Sequence, residues 1–312
     1  RRPDGYVGKP AEAGTDVFTM DVGNGSSTIP TFDSGFPVDF SLNRAPATTN
    51  NWTAGARLIQ GKYLETNDTQ DEAAWSPMVY DSNVGWNNYS SYTSSNQSWM
   101  WKRHAGMDVV CWKGNGSARQ IPHNLSKIPE MIWVKKRLVD TSNWPVYHKG
   151  FNGGTNPEQY FCNLDETSAE NTNSGLWNNT APTSTHFSLG TSNSVSENTH
   201  TYIAFLFASV DGISKVGYYT GDNTDNGSYH ITTGFQPRFI LIKSVSHAEN
   251  WNVLDSNRGM GTGSDEKVLI LNTTAAQTTT EAVDISSTGF SLRSAGGDFN
   301  ANGYEYIYYA HA

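Results

Sequence analysis

The stretch that decides the fold is residues 109–150, VVCWKGNGSARQIPHNLSKIPEMIWVKKRLVDTSNWPVYHKG. It combines a glycine turn at 114–116, an apolar strand with a basic end at 129–135 and an Asn-Trp pair at 143–144. The same three features return in the same order at 219–221, 237–243 and 250–251. Because the repeat length is about a hundred residues, the pattern indicates tandem domains rather than the short units of a solenoid.

A more divergent copy precedes these two. Residues 36–42 alternate strictly where the apolar strand is expected, and Asn51-Trp52 matches Asn143-Trp144. We therefore divide the chain into a linker (1–16), repeat 1 (17–106), repeat 2 (107–211) and repeat 3 (212–312). Each copy carries about seven short strand-forming runs separated by turn residues, which is typical of an antiparallel sandwich. The predicted fold class is all-β, with tandem antiparallel β-sandwich-like domains built from about three related repeats.

The closing strands of repeats 2 and 3 predict different environments. Residues 202–208 are almost continuously apolar, as expected for a central strand covered on both faces. Residues 304–309 are aromatic with polar tips, which predicts a strand with one partly wet face.

Composition supports a folded, turn-rich protein. Hydrophobic residues make up 36% of the 312, aromatic residues 12% and charged residues only 16%, which argues against disorder. The net charge of −9 argues against a nucleic acid partner, since phosphate binding needs clustered Lys and Arg. The best apolar run, 202–210, has only the length of a strand, so we predict no membrane insertion. A start at Arg1 without Met predicts a fragment or a processed product.

The two cysteines are predicted to be small buried apolar groups, with a disulfide or a reactive thiol as the alternatives. Aligning repeats 2 and 3 places Cys111 opposite Tyr218 and Cys162 opposite Leu271. Neither cysteine belongs to a C-x-x-C pair or a Cys/His cluster, so zinc is not predicted.

Polar residues with possible chemistry do not form a recognisable motif. The histidines that could act as bases or ligands are His123, His148, His186 and His230, and the alternative for each is a polar residue at a strand edge. A pair of His148 with Asp165 is conceivable. Residues 222–227 contain oxygen ligands but depart from the order of a calcium loop. The sequence therefore predicts no catalytic residue, no metal, no cofactor and no enzyme.

Aromatic residues give the strongest functional signal. Trp52, Trp144 and Trp251 occupy equivalent positions, so we assign them to the framework. Aromatic and amide residues without counterparts in the other repeats are candidates for ligand contact, namely Trp86, Tyr89, Tyr92, Trp177, Asn178 and Asn179. An exposed ring beside amides suits a sugar, which needs an apolar face to stack on and donors for its hydroxyls. The alternative is a ring folded down over the end of the sandwich.

The repeated segments permit a family comparison. The chain resembles an uncharacterised domain family of tail-fibre and other adhesin-like proteins of marine bacteriophages, often found downstream of a laminin-G-like sandwich. The residues that carry the resemblance are 121–125, 129–137, 144–150, 177–185 and 202–208. The resemblance implies a virion protein, and a homotrimer because fibres are usually trimeric.

Three functional hypotheses remain open at this stage. In the first, the chain is the distal part of a phage tail fibre, located on the virion, and its loops contact host cell-surface glycan and other tail proteins. In the second, it is a purely structural shaft or decoration protein without receptor binding. In the third, it is a polysaccharide depolymerase.

Overall fold

The computed structural model describes residues 13–138, 141–263 and 266–312. The protein is all-β, with 38% of residues in strands and 8% in helices, and its sheets are antiparallel. The predicted fold class is therefore confirmed. Most of the predicted linker lies outside the described residues, and its end forms the 3-10 helix Gly14–Asp16.

Repeat 1 contains short strands joined by turns. Its strands are β1 (Phe18–Val22), β2 (Phe32–Asp33), β3 (Phe40–Arg44), β4 (Thr53–Ala56), β5 (Lys62–Glu65), β6 (Ala73–Ala74), β7 (Gly85–Trp86) and β8 (Gln97–Trp101). A 3-10 helix, Arg57–Ile59, follows β4.

Repeat 2 has strands in the same order and carries two short α-helices. Its strands are β9 (Met107–Lys113), β10 (Arg119–Pro122), β11 (Met131–Lys136), β12 (Pro145–His148), β13 (Tyr160–Asn163), β14 (Asn171–Thr172), β15 (His186–Leu189) and β16 (Thr201–Phe207). Its helices are α1 (Ser174–Trp177), α2 (Asn193–Ser196) and the 3-10 helices Phe151–Gly154 and Pro157–Gln159.

Repeat 3 follows the same plan. Its strands are β17 (Ser214–Thr220), β18 (His230–Thr232), β19 (Phe239–Ser244), β20 (Trp251–Asp255), β21 (Glu266–Ile270), β22 (Thr278–Thr280), β23 (Val283–Ser286), β24 (Gly289–Leu292) and β25 (Glu305–His311). The 3-10 helix Ser256–Arg258 follows β20.

The three repeats share one sheet topology. The six-stranded sheets have the orders β1-β8-β3-β4-β5-β6, β9-β16-β11-β12-β13-β14 and β17-β25-β19-β20-β21-β22. In each, the closing strand of the repeat (β8, β16 or β25) lies between the first strand (β1, β9 or β17) and the third (β3, β11 or β19). The strands left out form smaller sheets, β2-β7, β10-β15 and β18-β24-β23. Each repeat is thus a large sheet with a small sheet beside it.

The central strands of each large sheet are buried, and side-chain alternation along them separates two kinds of core. In β16, Ile203, Phe205 and Phe207 belong to a central core, whereas Tyr202 and Leu206 pack toward the small sheet. This is the period-2 alternation of a strand. Residues 202–208 are therefore covered on both faces, as predicted.

The central core is common to all three repeats. Rings from different repeats meet in it: Phe40 lies 4.3 Å from Phe205, Phe207 lies 4.9 Å from Tyr309, and Trp101 lies 5.6 Å from Phe239 (centroid distances). The sequence predicted tandem domains, and the structure adds that their large sheets enclose one shared interior.

The three equivalent tryptophans connect the repeats in a cycle. Trp52, Trp144 and Trp251 are fully buried, and each indole Nε1 donates to a main-chain carbonyl of a neighbouring repeat. The acceptors are Ile270 at 2.8 Å, Glu65 at 3.0 Å and Asn163 at 3.0 Å, respectively. Repeat 1 therefore binds repeat 3, repeat 2 binds repeat 1, and repeat 3 binds repeat 2. This arrangement is consistent with the framework role predicted from the sequence.

Three buried cations repeat the same cycle. Arg44, Lys135 and Lys243 take equivalent places in β3, β11 and β19. Their nitrogens donate to main-chain carbonyls of the neighbouring repeat, at Ala275 (2.8 Å), Thr69 (2.9 Å) and Thr167 (3.0 Å). Burial lowers the pKa of Arg44 to about 10 and that of Lys135 to about 8, and it also lowers the pKa of Lys243.

Two sequence predictions need correction. Strand β25 was expected to have a partly wet face, but six of its seven residues are buried. Its tyrosines tolerate burial where their hydroxyls find acceptors, as when Tyr306 donates to the Gly297 carbonyl at 2.7 Å. The conceivable His148–Asp165 pair is also wrong, because His148 Nε2 contacts the Tyr308 carbonyl at 3.4 Å and Nδ1 accepts from the Gly150 amide.

The cysteine alignment was correct at one position and displaced by two residues at the other. Cys111 corresponds to Tyr218, as predicted. Cys162 corresponds to Leu269 rather than Leu271, although both leucines are buried. Both thiols are free, and burial raises the pKa of Cys162 to about 12, so this thiol is an inert apolar group.

Candidate functional site

Four aromatic rings meet on the outer side of repeat 1, and we call them the aromatic cluster: Tyr63, Trp75, Tyr89 and Tyr92. Trp75 is central, with ring centroids 5.1 Å from Tyr89, 5.6 Å from Tyr92 and 6.1 Å from Tyr63. Tyr89 and Tyr92 lie 5.3 Å apart. All four pairs are edge-to-face, which is a favourable arrangement for aromatic quadrupoles.

Local backbone structure positions these rings. Tyr63 lies in β5, and Trp75 follows β6, the edge strand that pairs with β5. In the loop between β7 and β8, the Asn87 side chain accepts from the Tyr89 amide at 2.8 Å, and the Tyr92 amide donates to the Tyr89 carbonyl at 3.0 Å. Asn87 is itself in the left-handed region, with φ 71°. The turn thus holds Tyr89 and Tyr92 on the same side, toward Trp75.

The cluster is partly accessible to solvent. Tyr89 is 36% exposed, and the other three rings are half-buried. Burial raises the pKa of Tyr63 and of Tyr92, so both phenols keep their protons well above neutral pH. The surface therefore offers ring faces and edges together with phenol O–H groups, of which that of Tyr92 already bonds to the Thr53 side chain.

Trp86, a predicted ligand residue, does not join this surface. It is fully buried, stacked between Phe32 at 5.6 Å and Tyr80 at 5.2 Å, and its Nε1 donates to Ser98 Oγ at 3.0 Å. The pairing of β2 with β7 places the ring in the core between the small and the large sheet of repeat 1. The expectation of an exposed ring is wrong for Trp86, and the alternative of a ring folded into the sandwich describes it.

The same correction applies to Trp177 in repeat 2. The residue is 2% exposed, and its Nε1 donates to the Tyr160 carbonyl at 3.0 Å, so the ring covers the sheet instead of facing solvent. Asn178 and Asn179 are exposed, with left-handed φ angles of 55° and 46°, and they end α1. The structure therefore does not bring the repeat 2 candidates together as an aromatic platform.

Two members of the cluster, Tyr63 and Trp75, were missed by sequence reasoning. A signal was present for Tyr63, because it alternates with the buried Leu64 and so points to the opposite face. Without the pairing of β5 with β6, however, nothing in the sequence connects Trp75 to Tyr89 across the intervening residues.

The cluster suits non-covalent recognition of a polyhydroxylated ligand. A sugar ring has an apolar C–H face that can lie on an aromatic face, and its hydroxyls can bond to phenols and neighbouring amides. Within the described ranges, no group of three or more His, Cys, Asp or Glu side chains is placed to hold a metal ion. None of the helices in those ranges combines the length and apolar character that a bilayer-spanning helix needs.

Comparison with known proteins gives one family match. A family model described as Domain of unknown function (DUF7483) matches residues 65–312. No curated protein matches the chain. No solved structure matches it.

Proposed function

The chain belongs to the DUF7483 domain family, and we propose that it is a non-enzymatic attachment protein of a virion tail fibre that contacts glycan on the host cell surface. The observation that carries the glycan contact is the aromatic cluster, an accessible group of four rings on one outer face. Rings packed against one another lose little conformational freedom on binding, which favours affinity from a small contact area.

The position of the cluster supports contact with a long polysaccharide. Tyr63 and Trp75 lie at the edge of the large sheet of repeat 1, beside the end strand β6. The loop that holds Tyr89 is rich in Asn, Ser and Thr between residues 87 and 98. A glycan chain crossing this edge would find ring surfaces followed by amide and hydroxyl groups, which bond to sugar hydroxyls without a net charge.

The assignment to a virion fibre rests on the sequence resemblance and on the repeat architecture. Fibre parts must resist mechanical stress, and the cyclic bonds from Trp52, Trp144 and Trp251 tie the three repeats into one unit. The homotrimer stays a prediction. A single chain already closes a core among three sheets, so trimerisation would use a different surface.

A purely structural role is the second candidate, and the interlocked core favours it. Shared burial of the cations Arg44, Lys135 and Lys243 serves rigidity and needs no ligand. The two roles differ in what the aromatic cluster does, since a fibre shaft would not depend on exposed rings.

Glycan binding by the purified chain tests the proposal. We would measure binding of wild type and of the double variant Trp75→Ala with Tyr89→Ala to immobilised host surface polysaccharide, together with competition against phage adsorption. Loss of ring contact should weaken binding about tenfold or more. The matched control is Tyr218→Ala, which truncates a tyrosine that is 48% exposed on repeat 3.

Three outcomes separate the hypotheses. Weakened binding in the double variant but not in the control supports the attachment role. A wild-type chain that binds no host polysaccharide, yet is found on assembled particles by immunogold labelling, would leave the structural role. Release of reducing ends from the polysaccharide would instead indicate a depolymerase.

A further inference from the structure

A separate groove lies on repeat 2, between the edge of its large sheet and the helices α1 and α2. It has a volume of about 430 Å³, and we call it the repeat 2 groove. The lining residues used below are Lys136, Asn143, Phe161, Asn163, Asn173 and Glu197. The volume is that of a small-molecule site rather than a crevice for single waters.

One carboxylate fixes two of the lining amides. Glu166 accepts from Asn143 Nδ2 at 2.6 Å and from Asn163 Nδ2 at 2.9 Å. Because both bonds use the amide NH₂ groups, the flip of each side chain is set and the carbonyl oxygens remain as acceptors. This is the arrangement of a preorganised site, in which residues behind the surface hold those that line it.

A third amide is oriented in the opposite sense. The side-chain oxygen of Asn173 accepts from the Gly175 amide at 2.9 Å, where it caps α1, so its NH₂ group remains as a donor. The groove therefore presents oriented acceptors and an oriented donor within one space.

The charged residues of the groove neutralise each other. Lys136 Nζ donates to Glu197 Oε2, and the Lys136 side chain is only 4% exposed. The Tyr202 hydroxyl accepts from the Glu197 amide at 2.8 Å and donates to the Asn193 carbonyl at 2.7 Å, which secures this wall. An ion pair of this kind can bond to hydroxyl groups on either side without favouring a charged ligand.

Strand registers show that two of the lining residues are particular to repeat 2, whereas Asn143 has the counterparts Asn51 and Asn250 in the other repeats. Phe161 of the groove corresponds to Tyr63 of the aromatic cluster and to Val268 of repeat 3. Asn163 corresponds to Glu65 and Ile270. The groove and the aromatic cluster thus occupy the same part of two different sheets, whereas in repeat 3 that part is apolar and buried at Val268.

We propose that the repeat 2 groove is a second binding site, which takes one neutral saccharide ring. The half-buried Phe161 provides an apolar surface for the C–H face of the ring, and the amides of Asn143, Asn163 and Asn173 meet its hydroxyls. The site is independent of the aromatic cluster, and its volume of about 430 Å³ suits a single sugar unit, whereas the cluster accommodates a chain.

Ligand-observed saturation-transfer NMR tests the site with defined probes. The probes are the methyl glycosides of glucose, galactose, mannose and N-acetylglucosamine, with glucuronic acid as the charged comparison. We expect saturation of at least one neutral glycoside by the wild-type chain, and affinity about tenfold weaker in Asn163→Ile, which installs the residue of repeat 3. Asn198→Ala, an exposed change outside the groove lining, is the matched control.

Further variants keep this test distinct from that of the proposed function. The Trp75→Ala variant should retain the NMR signal, and Asn163→Ile should retain polysaccharide binding. The groove proposal is overturned if the wild type saturates no neutral glycoside, if Asn163→Ile binds as wild type does, or if only Trp75→Ala loses the signal. In the last case the sugar sits on the aromatic cluster and the attachment role survives. A thermal unfolding midpoint equal to that of the wild type confirms that each variant is folded.

Discussion

The inner and outer faces of the three large sheets follow different rules. On the inner face, Trp52, Trp144 and Trp251 are the same residue making the same bond to the next repeat. On the outer face, one equivalent position holds Tyr63, Phe161 or Val268, which belong to an aromatic cluster, a polar groove and a buried core. Positions that must fit a neighbouring repeat are constrained in shape and hydrogen bonding, whereas outer positions can differ and so can carry distinct functions.

The largest expected effect is on the inner face. Trp251→Ala should lower the free energy of unfolding by about 3–5 kcal/mol, because it opens a large cavity in the shared core and removes the donor to the Asn163 carbonyl. Trp251→Phe keeps most of the volume and should cost about 1–2 kcal/mol. Urea unfolding followed by fluorescence measures both. If the two variants lost equal free energy of unfolding, the loss would come from the hydrogen bond. That result would contradict our assignment of most of the Trp251→Ala loss to packing.

A second inner-face effect depends on pH. His148 is fully buried, and burial lowers its pKa to about 3 from the ordinary 6.5. Between pH 6.5 and 3, His148 is therefore protonated in the unfolded chain and neutral in the folded chain. Its contribution to stability is present above pH 6.5 and is lost as the pH falls toward 3. Between pH 7 and 4.5 the loss from His148 should be about 2–3 kcal/mol.

The variant His148→Gln separates the contribution of His148 to the pH dependence of stability from contributions that have the opposite sign. Burial raises the pKa of Asp165 to about 6 and that of Glu170 to about 7, so their contributions increase as the pH falls. The measurement is therefore the difference between wild type and His148→Gln in urea unfolding at pH 7 and pH 4.5. Removal of His148 should reduce the acid sensitivity, and His230→Gln, at an exposed outer position, is the control. A wild-type slope in His148→Gln would contradict the origin assigned to it.

The inner framework was more predictable than the outer sites, and the reason is physical. Strand alternation, turn residues and the recurrence of Trp144 as Trp251 are local signals, so they reveal the repeats without knowledge of the fold. The closure of three sheets around one core depends on contacts between repeats, such as Phe40 with Phe205, which no periodicity encodes. The sequence therefore predicts the units but not their joint interior.

The outer sites show more clearly what the sequence does not predict. Trp86 and Tyr89 are close in sequence, yet Trp86 is buried in β7 by pairing with β2, whereas Tyr89 lies exposed in the loop that follows. A lack of counterparts in the other repeats marked both residues equally. Whether an aromatic residue is exposed depends on which strand its segment pairs with and which sheet it packs against, and both are properties of the tertiary structure.

The smallest expected effect on stability is at the outer face, and it completes the contrast. Trp75→Ala removes a ring as large as that of Trp251, but Trp75 is half-buried and contacts the partly accessible rings Tyr63, Tyr89 and Tyr92. We expect a loss of about 1 kcal/mol or less in urea unfolding, since truncation at an accessible edge leaves no closed cavity. A loss as large as that of Trp251→Ala would mean that Trp75 belongs to the structural framework. That result would contradict the role of the aromatic cluster as a contact surface.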